Sequence, residues 1–121
     1  MRLATAFAAF ALSGTAALAA GEDELMAENY NNTLVITDSF GTSRLTYGKD
    51  HSFFAASWLG EVRGHWKIED GKMCLYAEQY PFLYRLKYAI PECDVIEVHK
   101  VGDKWESHGR HFELVEGIQK P

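Results

Sequence analysis

Cysteine and proline are scarce in this chain, two of the first and three of the second. No internal repeat, low-complexity stretch or proline-rich linker divides it. Basic residues are outnumbered, 12 Lys and Arg against 17 Asp and Glu, and they are scattered rather than clustered. An acidic chain without a basic stripe argues against nucleic-acid binding and against docking on anionic lipid. There is no glycine-rich phosphate loop, and no Ser or Cys stands in a nucleophile elbow. Glu22-Asp23-Glu24 is a charged segment rather than a catalytic carboxylate pair. The expectation is a non-catalytic protein that needs no cofactor.

The one long apolar run lies at the N-terminus. Met1-Arg2 precedes an Ala-rich stretch, Leu3 to Leu12, and Ala17-Leu18-Ala19 supplies a small-x-small cleavage pattern. These are the three regions of a secretory signal peptide. The run is shorter than the about 20 residues that a helix needs to cross a bilayer. Residues 1–20 are therefore expected to be removed on export to a periplasmic or extracellular space. No cysteine follows the cleavage site, so a lipid anchor is not indicated. The mature chain is expected to contain no transmembrane segment. Losing Arg2, the one charged residue of that stretch, moves the formal charge from −5 to −6.

What remains is enough for one domain with a single modest core. Residues 21–32 read as a polar N-terminal segment, 33–117 as a β domain and 118–121 as a tail. Both cysteines, Cys74 and Cys93, lie in the β domain, and in an oxidising compartment a disulfide is the expected pairing; a metal held by the cysteine pair is the alternative. From Thr33 onward apolar and polar residues alternate, with turn residues roughly every 8–12 positions, as in a sandwich or barrel. Hairpin turns placed at Phe40-Gly41, Asp50-His51, Leu59-Gly60-Glu61 and Asp70-Gly71 keep one apolar face through five strands. That face carries Leu34, Ile36, Leu45, Tyr47, Phe54, Trp58, Val62, Trp66, Ile68, Met73 and Leu75. A sixth strand is expected over 82–90 with Phe82, Tyr84, Leu86, Tyr88 and Ile90 inside. Strands at 94–101, 104–107 and 110–116 follow, joined at Gly102-Asp103 and His108-Gly109, with Ile96, Val98, Trp105 and Phe112 inside and Trp105 facing Lys100. The fold class is all-β: an antiparallel meander of eight or nine short strands forming a small closed or nearly closed barrel with one disulfide. A two-sheet sandwich is the alternative.

Several strings carry a family likeness: Asn32-Thr33-Leu34-Val35-Ile36-Thr37, Gly64-x-Trp66, Asp70-Gly71-Lys72-x-Cys74-Leu75, Cys93, and Lys100-Val101-Gly102-Asp103-x-Trp105. With them the chain resembles small exported lipocalin-like β-barrel proteins of bacteria. Its size, export signal and cysteine pair also resemble periplasmic metalloprotease inhibitors built on a small barrel. The shared residues are turn and core residues, so the resemblance implies a fold and leaves the function open.

Two groups of side chains could carry function. Tyr47, Phe54, Trp58, Trp66, Tyr84, Tyr88 and Trp105 fall on the expected inner face. They either fill a core or line a cavity for a small apolar or aromatic ligand. The second group is a row on the opposite face, His99, Glu106 and His111, brought together by the last two hairpins. Two imidazoles and a carboxylate would suit a divalent transition metal; otherwise the row is a solvated surface. Three functions follow in order: a small-ligand binding protein, an envelope module that binds a protein partner as an inhibitor or accessory factor, and a metal-binding protein.

Overall fold

A computed structural model of the chain describes residues 21–119. The expected signal peptide lies outside the described residues, as do the last two of the tail. A short helix, α1 (Gly21–Met26), leads into eight strands and a second short helix. The strands are β1 (Asn32–Asp38), β2 (Gly41–Tyr47), β3 (Ser52–Ser57), β4 (Gly60–Glu69), β5 (Lys72–Gln79), β6 (Glu92–Val95), β7 (Lys104–Ser107) and β8 (Arg110–Glu116). Helix α2 (Tyr84–Lys87) separates β5 from β6. All eight strands belong to one antiparallel sheet in the order β6-β5-β4-β3-β2-β1-β8-β7.

The sheet is a meander curled into a nearly closed half-barrel. Its two edges, β6 and β7, are successive in the chain, so residues 96–103 span the gap between them. Side chains cross that gap in place of backbone ladder bonds. Arg110 Nη2 donates to Glu92 Oε1 at 2.6 Å, and Ser107 Oγ donates to Asp94 Oδ2 at 3.3 Å. Polar groups of β6 are thus met by Ser107 of β7 and by Arg110 at the start of β8, which also discourages pairing with another chain.

The core lies inside the curl. Leu34, Leu45, Phe53, Val62, Trp66, Met73, Ala77 and Tyr84 form it, and Met26 of α1 closes one end. Trp66 is 0% exposed. Its indole N–H donates to Gly48 O at 3.0 Å, and His51 stacks on its ring with centroids 4.0 Å apart. Gly64, beside a bulge in β4, allows close approach: a Cβ there would lie 2.0 Å from Tyr76 O and 2.8 Å from the Phe53 ring. Cys74 and Cys93 face each other directly across β5 and β6 and are joined as a disulfide.

Two hairpins follow the expected register. Asp70-Gly71 and His108-Gly109 each put two successive residues at positive φ, the twist that suits a two-residue hairpin. Glu69 pairs with Lys72, and Ser107 with Arg110. The others differ. The first turn is Ser39-Phe40, fixed by Asp38 Oδ1 accepting the Phe40 N–H. Leu34 therefore pairs with Leu45 and not Tyr47, a two-residue shift that keeps the face. The second loop holds one extra residue because His51 takes positive φ. Tyr47 then pairs with Phe53, so Phe53 points inward and Phe54 outward, against expectation. The third turn is Trp58-Leu59, shorter than expected, with Ser57 Oγ accepting the Leu59 N–H. Trp58 sits in that turn, 63% exposed, and not in the core. The two odd shifts cancel, so Val62, Trp66 and Met73 return to the inner face as expected.

Residues 82–90 do not form a strand. Tyr84 and Tyr88 face inward one helical turn apart, whereas Phe82 and Leu86 are 79% and 73% exposed. The expected strand over 94–101 is also too long. Ladder pairing ends at Val95, Val98 is exposed and Trp105 has no partner at Lys100.

Candidate functional site: the cavity beneath the seam

The gap between β6 and β7 roofs a cavity of about 180 Å³. Its floor is the inner face of the sheet, with Leu34, Ile36, Leu45, Tyr47, Met73 and Leu75. Trp105 and Phe112 form one wall, paired across β7 and β8 with near-parallel rings 5.5 Å apart. His99, from the 96–103 crossover, extends that stack, lying on Trp105 with centroids 3.4 Å apart. Ile96 enters from the same crossover, and Met26 closes the end nearest α1.

The crossover is tied down at both ends. Ile96 N donates to Gly71 O at 3.2 Å, Gly102 N to Leu114 O at 2.8 Å and Leu114 N to Asp103 O at 3.1 Å. Between those ties no ladder holds it, so the residues over the cavity are those with the least backbone support.

Charge enters this apolar space at one place. Alternation puts Arg110 on the face of Phe112 and Leu114, and Glu92 opposite inward-facing Leu75. Both are partly buried and pair with each other. Burial pulls the Arg110 guanidinium pKa down, but Glu92, with smaller help from Tyr88 and Asp38, more than offsets this, so the net shift is upward and the group stays charged. Below the pair lies a smaller void of about 70 Å³ that shares Ile36, Leu45, Leu75, Glu92 and Arg110 with the first and is lined further by Phe53, Tyr84 and Tyr88. Burial, and then the negative charge of Glu92, push the Tyr84 hydroxyl up to about 12. The same causes, with Asp94 added, hold Tyr47 well above the ordinary tyrosine range. Both phenols are neutral donors at physiological pH. Among the described residues no side-chain polar atom sealed from solvent lacks a hydrogen-bond partner.

The expected ligand residues divide four ways. Tyr47 and Trp105 line the main cavity, and Tyr84 and Tyr88 the smaller one. Trp66 is sealed in the core. Phe54 lies outside, with the Arg63 guanidinium 4.5 Å from its ring centre, and Trp58 is in an exposed turn. Neither of the last two reaches the interior. Sequence reasoning missed Arg110 and Glu92. The available signal was an arginine in alternation with Phe112 and Leu114.

The His99, Glu106, His111 row does not assemble. Glu106 pairs with His111 at 3.4 Å. His99 instead stacks on Trp105 and lies 3.7 Å from Asp103, because the strand that was to carry it beside Glu106 ends at Val95. No group of three or more His, Cys, Asp or Glu among the described residues is placed to hold a metal ion. Nor is any helix among them long and apolar enough to cross a membrane.

The chain matches no protein-family model, no curated protein and no solved structure. Its geometry is that of a small all-β domain with a curled antiparallel sheet, a general small-barrel form.

Proposed function

We propose that this chain is an exported, non-catalytic binding protein, lipocalin-like in using its barrel interior to hold a small apolar or aromatic ligand. One observation carries the reading: an apolar cavity under the unladdered gap between β6 and β7, lined by Tyr47, Trp105 and Phe112, with the Arg110–Glu92 ion pair at its edge. At about 180 Å³ it is smaller than most drug-sized sites, yet larger than the ~150 Å³ cavity that admits benzene in an engineered protein. The ligand class is therefore a single aromatic ring or a short branched chain. A polar substituent would find Tyr47 as a donor, and Glu92 or Arg110 as an acceptor or donor. Export rests on the signal-peptide pattern and suits the disulfide.

The test is native mass spectrometry of the protein purified from its own host. A retained small molecule, released by unfolding and absent when Ile36→Trp fills the cavity, is the expected result. Bare protein from the host, together with no uptake of single-ring aromatics at millimolar concentration, would remove the reading.

A further inference from the structure

Among the described residues, most of the exposed aromatic and aliphatic bulk is gathered at one end. The β1–β2 turn brings Phe40, the β3–β4 turn brings Trp58, and α2 with its approach brings Phe82, Leu83 and Leu86. In an antiparallel meander these three connections share one end of the sheet, opposite α1 and the Asp70-Gly71 turn. They also touch. Lys87 Nζ lies 3.1 Å from the centre of the Phe40 ring and 6.0 Å from that of Trp58. A Cβ on Gly41 would sit 3.1 Å from Trp58, and one on Gly60 would sit 2.8 Å from Pro81.

The patch is open to solvent at Trp58, Phe82 and Leu86. Phe40, Trp58, Phe82, Leu83 and Leu86 line neither of the two cavities described above. Exposed apolar side chains with no pocket between them offer no groove to a partner's segment; they suit a fluid apolar phase that closes around them. Trp and Phe are also the side chains that settle at a membrane–water boundary. The charges nearby point the same way. Arg85 and Lys87 are exposed on α2 and make no ion pair among the described residues. Asp38 and Glu61 also lie at this end, but neither pairs with Arg85 or Lys87: Asp38 accepts the Phe40 N–H, and Glu61 lies 3.7 Å from Arg63.

We propose that this end is a membrane-docking surface, seating Phe82, Leu86 and Trp58 in the headgroup region of an anionic bilayer with Arg85 and Lys87 against lipid phosphates. The scattered basic residues of the sequence argued against such docking; the fold brings two of them to the apolar end. Attachment is peripheral and independent of the interior cavity.

The purified protein is floated with vesicles of phosphatidylglycerol and phosphatidylcholine, and with phosphatidylcholine alone. It should rise with the anionic vesicles, and its tryptophan emission should shift to the blue. About 1 M salt, with a screening length near 3 Å, should weaken the attachment. Phe82→Ser with Leu86→Ser should weaken it at least about tenfold without changing the melting temperature, since both side chains are exposed. Trp58→Phe should float but lose the emission shift. Arg85→Gln with Lys87→Gln should lower the preference for anionic lipid. No flotation of the unaltered protein, or flotation indifferent to the Phe82 and Leu86 changes, would overturn the proposal. So would a photocrosslinker at position 86 that captures only protein while vesicles are ignored.

Discussion

Trp66 and Trp58 carry the same indole to opposite fates. Trp66 is enclosed by Tyr30, Tyr47 and His51, and its N–H is bonded to Gly48 O. Trp66→Ala should cost about 3–5 kcal/mol in a denaturant titration, through the cavity it leaves and the carbonyl it strands. Trp58→Ala should cost under about 1 kcal/mol, because its ring is mostly in water. Equal losses would mean that the β3–β4 turn is wrongly placed. The interior tyrosines set an alkaline limit. Tyr84 is pushed up to about 12, so the folded state keeps a proton that the unfolded chain releases above its ordinary value near 10. Its contribution is whole below pH 10 and is lost as pH rises toward 12. Melting temperature should fall across that window, and less steeply in Tyr84→Phe. A flat profile would place the Tyr84 hydroxyl in water.

Among the elements, β6 depends most on a covalent tie. It is a short edge strand that pairs only with β5, where the disulfide joins Cys74 to Cys93. It also supplies Glu92 and Asp94 to the seam. Reducing a link between residues 19 apart should lower stability by about 3 kcal/mol in the chain-entropy model. Hydrogen exchange should quicken first in β6 and in residues 96–103. Loss of protection spread evenly over all strands would argue that β6 is not a separate weak edge. The same elements show what could be read from sequence. Turns made by Asp-Gly and His-Gly were legible because glycine admits positive φ. The loop at residue 51 was not, since a histidine took that conformation there. That one residue turned β3 over, and the shorter Trp58-Leu59 turn restored β4. Strand membership therefore survived while Phe54 and Trp58 were misplaced. At 82–90 the even positions fit both a strand and a helical repeat, because Tyr84 and Tyr88 are spaced for either. The metal row failed for a different reason: residues 96–103 bridge two sheet edges, and alternation along one segment carries no information about that closure.

At the scale of the whole molecule the half-barrel works by leaving one seam without a backbone ladder. Seven ladders define the sheet and give it a filled core at Trp66. The eighth interface is made of an ion pair, a hydroxyl and a loop, and the cavity lies beneath it. The cysteine pair, the barrel class and most of the core were legible in the sequence; the seam was not, because it depends on which strands become edges. The central claim is that this cavity takes a small aromatic ligand. Its most direct test uses two methionines, Met26 and Met73, both of which line the cavity. With methyl-¹³C methionine, a titration with single-ring aromatics should move both methyl resonances together and saturably, through ring currents. Filling the cavity by Ile36→Trp should abolish the response. Two methyl signals that stay fixed to the solubility limit of every ring tried would contradict the account.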